Sequence, residues 1–344
     1  NPSNIWKTHA PLIVLIALVT YFWWPSLWGG QVIIHSDAAH HGFSLLVFLH
    51  EWLRGTGDSL LWFSDIYGGH PLFAESQGGF LNPLNLISAY LFEPKYGVGI
   101  LHWLDMLVAG LGVYALSRAL DLGRWSALFA AIAASYSGIW LGVQFNTSVS
   151  GALAWTSWTL AAAQYWFKEP SITRALIMAV PATLLIYSGY PHLAHGVAIY
   201  LACFIVAVVL TRDGRAFTVR HIKALLLGGF VAVVLALLMS AVQLVPLIEL
   251  VLGSHRGEGT PLAFGGLLSA KSYISGMLFF DWSPVQEHII VTSQNSLLVC
   301  LLALLCVMLR VPYVILGHMF GTFILLNLGM EYASPIFRLI YDNN

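Results

Sequence analysis

From Ala10 to Ile33, from Trp125 to Phe167 and from Ala224 to Ile248 the chain carries no charged side chain. A helix on the surface of a water-soluble domain needs a polar face, and runs of this length leave none. A bilayer core, by contrast, takes about 20 apolar residues per helix. The whole chain follows suit: 58% of its residues are hydrophobic and 9% are charged, against roughly 25% charged in soluble domains. The sequence therefore predicts an all-α integral membrane protein.

On the bilayer scale about nine spans are expected, near 10–33, 97–117, 125–143, 150–167, 174–189, 192–211, 224–248, 294–310 and 312–329. Together they form one polytopic helical bundle, a single transmembrane domain over 1–344. The third to fifth are rich in Ala, Ser and Gly, which suits close helix–helix packing. The first is too long for a cleaved signal peptide. The chain opens on Asn1 rather than Met, so a preceding segment is expected. Cys203, Cys300 and Cys306 lie inside apolar runs and read as core residues rather than disulfides or metal ligands.

Cations set the orientation. With the first helix entering from the cytoplasm, that side receives Lys7, Arg118, Arg124, Lys168, Arg174, Arg212, Arg215, Arg220, Lys223 and Arg310. The opposite side receives only Arg54, Lys95, Arg256, Lys271 and Arg338. The N-terminus is thus cytoplasmic. Two connections on the outer side, 34–96 and 249–293, are too long to be simple turns, and connections of that length are commonly functional. In the first, FSLLVFLHEWLR at 43–54 has apolar residues at helical spacing and predicts an amphipathic interfacial helix. A second is expected over 79–92, with Asn82 as cap before Pro83.

Candidate chemistry gathers on this outer face. Asp37, in the stretch His35-Ser36-Asp37-Ala38-Ala39-His40-His41, can act as a general base towards a hydroxyl, orient a substrate, or cap the next helix. His35, Asp37, His40 and His41 are zinc-type ligands, but their spacing matches no standard zinc motif. No cofactor is required, and a divalent metal is the weaker alternative to histidines that hydrogen-bond backbone, sugar or phosphate. Trp62, Phe63, Asp65, Tyr67, His70, Glu75, Gln77 and Asn82 form a stretch that suits stacking on a sugar ring and bonding its hydroxyls. They equally suit an aromatic belt at the lipid headgroups. Gly68-Gly69 before Pro71 signals a turn.

Asp105, one helical turn after His102, is an intramembrane carboxylate and so a functional candidate or half of a structural His–Asp hydrogen bond. Gln144, Asn146 and Thr147, and then Tyr187 to His192, break apolar runs towards the same face. Arg256 and Lys271 offer partners for a lipid-linked phosphate, or snorkel beside headgroups. A net charge of −1 gives no nucleic-acid footprint. The sequence contains no P-loop, G-x-G-x-x-G, G-x-S-x-G or H-E-x-x-H motif.

The order of these features, an acid, an amphipathic stretch, then LWFSDIYGGHPLFAESQGGFLNPLNLI, resembles the YfhO-like membrane proteins. Matching positions are Asp37, Leu61, Trp62, Gly69, Pro71, Leu72, Ala74, Gln77, Pro83, Asn85 and Leu86. Ser240 to Pro246 and Pro335 to Arg338 are similar as well. The resemblance implies a GT-C-like fold and a glycosyltransferase using a polyprenyl-phosphate sugar on the outer face of the bacterial cytoplasmic (inner) membrane. It implies Asp37 as catalytic base, with Asp65 in reserve. His40, His41, His70, Gln77 and Asn82 would position sugar or acceptor, and Arg256 and Lys271 would stabilise the phosphate. Family members are longer, so their C-terminal part is expected to be missing here. Ala38 follows Asp37, so the paired acids of some GT-C enzymes are absent at that point. Two other readings stand beside this one. A non-catalytic subunit of a larger membrane complex would use the small-residue helices for docking. A transporter would use His102 and Asp105 as a proton relay.

Overall fold

The structure is a computed structural model and describes residues 2–31, 41–57, 59–64, 68–137, 140, 146–191, 193–198, 200–202 and 219–254. The chain divides into two compact units. The first comprises Asn1–Tyr136, Val143–Ala194 and Ala224–Thr260, and the second comprises Ser137–Gly142, His195–Lys223 and Pro261–Asn344. The described residues are all-helical apart from one isolated bridge between Phe63 and His70. In the second unit the helical fragments are 195–198, 200–202 and 219–223. The expected spans 294–310 and 312–329, and most of the outer connection 249–293, lie outside the described residues.

In the first unit, α1 covers Pro2–Phe22, earlier than the expected 10–33. The reason is Pro25, whose ring would clash with the carbonyl one turn back. The chain breaks at Trp23 and restarts as the short α2, Trp24–Leu27. Along α1, Leu15 and Val19 are fully buried while Ile13, Ile16 and Tyr21 are exposed. Next come α3 (Phe43–Leu53), α4 (Leu72–Glu75), α5 (Pro83–Leu91) and α6 (Pro94–Ala119). They are followed by α7 (Arg124–Ser135), α8 (Thr147–Lys168), α9 (Ile172–Tyr187) and α10 (Val219–Leu252). Among the described residues, two segments, Pro94–Ala119 and Lys223–Leu252, are long and apolar enough to cross a membrane. α7 differs from its expected span, since it stops after 12 residues, about 18 Å of helix, where Tyr136 and Ser137 turn the chain.

Small residues set the packing. A Cβ on Gly112 would come within 2.1 Å of Ser157 Oγ, so α6 and α8 touch where neither has bulk. The two helices run parallel, because their contacts advance in step. His102 meets Ser150, Trp158 Nε1 donates to Val108 O at 2.9 Å, and Asp121 pairs with Lys168 at 2.6 Å. α7 lies against α6, and α9 against α8. The unit therefore has two chemically distinct ends. At one end are Arg118, Asp121, Arg124, Lys168, Glu169 and Arg174, with Glu169 paired to Arg174. At the other sits the segment 41–91.

That segment has its own core. Leu45, Leu46, Phe48 and Leu49 of α3 are buried with Phe63, Leu72, Phe80, Ala89 and Val98. The 43–54 helix exists, but its apolar face is packed on protein, against α5 and α6. Its polar end is also tied down. His50 Nδ1–H donates to Ala89 O at 2.6 Å, leaving Nε2 to accept from Arg54 Nε at 3.0 Å. On α10, Leu225, Ala232, Ala236, Ser240 and Gln243 form one buried stripe. Leu226, Phe230, Val233, Leu237, Leu238, Val242 and Val245 remain exposed on the rest of the helix.

Candidate functional site

The segment from Gly69 to Leu86, which runs through α4 into α5, carries the densest run of resemblance positions, and the loop between the two helices is wedged into the helix ends. Asn82 is 1% exposed. Its Oδ1 accepts from Leu84 N at 3.1 Å, capping α5 with Pro83 at the first helical position, and from Trp155 Nε1 at 3.2 Å. Asn85 Nδ2 donates to Gly78 O at 3.1 Å. Ser148 Oγ, at the start of α8, donates to Gln77 O, and Gln243 Nε2 of α10 donates to Phe73 O at 2.6 Å. The turn after α9 closes the wedge. Gly189 adopts φ +83°, and a Cβ there would lie 2.2 Å from Ser76 O, so only glycine fits.

Asn146, one of the residues breaking the third apolar run, caps α8 through Ser148 N at 2.9 Å. Tyr190 follows the Ser188-Gly189 turn, and burial pushes its phenol above the ordinary value.

Beside this wedge three ionisable side chains meet. His70 Nε2 lies 3.0 Å from Glu75 Oε2, an imidazole N–H donating to a carboxylate. His41 Nε2 stands 3.9 Å from the same oxygen, an electrostatic approach rather than a hydrogen bond. All three side chains are about a quarter exposed. His70 is positioned by its bridge to Phe63, two backbone hydrogen bonds of 2.8 Å each. Among the described residues, no group of three His, Cys, Asp or Glu is arranged to hold a metal ion.

A second polar cluster is buried between α6 and α8. His102 and Asp105 do not pair directly. Ser150 stands between them, its hydroxyl donating to Asp105 Oδ2 at 2.6 Å and accepting from His102 Nδ1 at 3.1 Å. The hydroxyl has one proton, so the imidazole must be the donor in its bond. Trp23 stacks on the His102 ring, with centroids 5.8 Å apart. Asp105 is the twelfth residue of a 26-residue helix and so lies near its middle.

Of the residues singled out from sequence, His41, His70, Gln77 and Asn82 fall in one neighbourhood. Asn82 belongs to its framework, because the side-chain oxygen already serves two buried donors. Asp37, Asp65, His40, Arg256 and Lys271 lie outside the described residues, as do His35 and most of the histidine-rich stretch. Sequence reasoning passed over Ser150 and named Glu75 only as part of the polar and aromatic stretch from Trp62 to Asn82. Gln243 stood in a matching segment without a function, its one visible signal being an amide inside an apolar run. Comparison of the chain with protein-family models, curated proteins and solved structures finds no match.

Proposed function

We propose that this chain is a polytopic membrane glycosyltransferase of about nine spans, GT-C-like, with its N-terminus in the cytoplasm and its active face outside the bacterial inner membrane. Its donor is a polyprenyl-phosphate sugar. Asp37, with Asp65 in reserve, takes the proton from an acceptor hydroxyl. The oxygen attacks the anomeric carbon with inversion, the bond from that carbon to the phosphate oxygen breaks, and the lipid phosphate departs as an anion. Arg256 and Lys271 stabilise that charge. His40, His41, His70 and Gln77 position sugar or acceptor, and Asn82 acts from behind by fixing the loop.

The observation that supports this reading most is the wedging of the 72–86 segment. Gln243, Ser148 and Asn82 hold it rigidly at the end opposite the cationic cluster, next to three partly exposed ionisable groups. A site that must orient two substrates needs such a rigid support. The exposed apolar face of α10 further agrees with lipid or other helices around it. The test is transfer from a synthetic polyprenyl-phosphate sugar in proteoliposomes. Asp37→Asn should abolish transfer at unchanged expression, and an undiminished rate would remove Asp37 from the mechanism.

A further inference from the structure

Two helices that end early leave a notch between them. α1 stops at Phe22, ahead of Pro25, and α7 stops at Ser135. The two ends meet at one level. Tyr136 Oη donates to Leu18 O at 2.7 Å, and its ring packs edge-on against Phe22 with centroids 5.5 Å apart. The groove they frame has a volume of about 630 Å³. Leu18, Tyr21, Phe22, Trp24 and Pro25 wall one side, and Ile132 and Tyr136 the other. Its size falls among small-ligand sites, about 300–1,000 Å³. The groove also stands away from the 41–91 segment. Gly99 of α6 faces Ser26 of α2, whereas Gly97 faces Leu46 of α3. Two residues turn a helix by about 200°, so α2 and α3 lie on opposite sides of α6.

We infer that this notch binds one acyl chain of a bilayer phospholipid, held as a fixed structural lipid. Depth is the first argument. Counted from Arg124, the cation that opens α7, Tyr136 stands about 18 Å along the helix. Leu18 lies about 16 Å beyond Lys7 on α1. Both counts put the notch in the outer half of a hydrocarbon core about 30 Å thick, where the occupant of apolar space is itself a hydrocarbon. Trp24 and Trp28, with rings 4.7 Å apart and both more than half exposed, stand at its outer end, where tryptophans meet headgroups. Size is the second argument. A stable protein interface takes about 20–30 residues a side, and the groove offers seven. The polyprenyl chain of the proposed donor is not the occupant, because its sugar belongs at the 41–91 segment on the other side of α6. The inference needs the chain to cross a bilayer, and it is independent of the transfer chemistry.

The test uses the full chain, purified in detergent and washed free of endogenous lipid. The probe is palmitoyl-oleoyl phosphatidylethanolamine, read by native mass spectrometry. The expected result is one probe molecule retained per chain at detergent levels that strip the rest. Ile132→Trp, which fills the groove, should lose that molecule, and so should Leu18→Phe, which narrows it from α1. Val233→Trp adds bulk to an exposed apolar residue of α10 and should keep it. Bound probe should also raise the Tm of the wild type and leave that of Ile132→Trp unchanged. Monodispersity on size exclusion separates lost binding from lost folding, and the milder Leu18→Phe carries the test if Ile132→Trp fails to fold. No retained probe on the wild type, or equal retention by the wild type and both groove variants, overturns the inference. So does displacement of the probe by a polyprenyl phosphate, which would make the notch the donor's. A second copy of the chain bound in place of the probe would overturn it as well.

Discussion

Ser150 is the sole hydrogen-bond donor that Asp105 meets among the described residues, across 2.6 Å at the interface of α6 and α8. The second carboxylate oxygen, Oδ1, is buried without a partner among those residues. An ionisable group in this position makes the interface depend on one hydroxyl. Ser150→Ala should therefore destabilise the protein by about 2–3 kcal/mol, the upper part of the range for a buried polar group left unpaired. Adding Asp105→Leu to Ser150→Ala should recover part of the loss, because the carboxylate orphan is then gone while His102 Nδ1 still lacks its acceptor. Thermal unfolding in detergent measures both. A double variant as unstable as the single one would show that the cost lies in packing or at His102 rather than at the carboxylate.

Gln243 ties α10 to the 72–82 loop through Phe73 O at 2.6 Å and is 2% exposed. Gln243→Leu keeps the bulk and removes the donor, so a partly buried carbonyl is left unpaired at about 1 kcal/mol, the lower part of the range for a buried group. The loss should be local. Amide exchange should quicken over residues 72–82 and stay unchanged in α8, whose own cap at Asn146 is untouched.

Two glycines of similar backbone separate strain from crowding. At Gly68 (φ +76°) the place a methyl group would occupy has nothing within 4 Å, whereas at Gly189 (φ +83°) that place lies 2.2 Å from Ser76 O. Gly68→Ala should cost only the left-handed backbone penalty, about 1–2 kcal/mol. Gly189→Ala adds a backbone clash and should prevent normal folding, read as a loss of monodisperse protein on expression. Equal behaviour of the two variants would contradict the wedged geometry of the loop.

Several of these features were legible in the sequence because they are local. Asn82-Pro83 announces a capped helix start, Gly68-Gly69 a turn, and the clustering of Arg118, Arg124, Lys168 and Arg174 one end of a bundle. What stayed hidden depends on contacts distant along the chain. The amphipathic pattern of 43–54 looks the same whether its apolar face meets lipid or α5 and α6. The spacing of His102 and Asp105 suggests a direct pair, and nothing local reveals that a serine 45 residues beyond Asp105 comes between them. Glu75 gains meaning only when the Phe63–His70 bridge carries an imidazole to it. Pro25 is a local signal too, but the expected first span of 10–33 ran through it, and its effect follows from steric clash alone.

Sidedness gives the last prediction. The cationic end carries Asp121, 81% exposed at its side chain, and Glu169, 76% exposed. At the other end Leu61, Trp62 and Gly68 are exposed. If the cationic end faces the cytoplasm, as the excess of Lys and Arg requires, the two ends lie across the membrane from each other. After replacement of Cys203, Cys300 and Cys306 by Ala, single cysteines at positions 121, 169 and 68 should report this with a membrane-impermeant maleimide. In intact cells stripped of their outer barrier, position 68 should label and positions 121 and 169 should not. In inverted vesicles the pattern should reverse. The 121–168 ion pair plays no part in holding that orientation, since a pair this exposed contributes about 0–1 kcal/mol, so Lys168→Met should leave the labelling pattern intact. Labelling of 68 and 121 from the same side would remove the topological basis for an active face outside the cell.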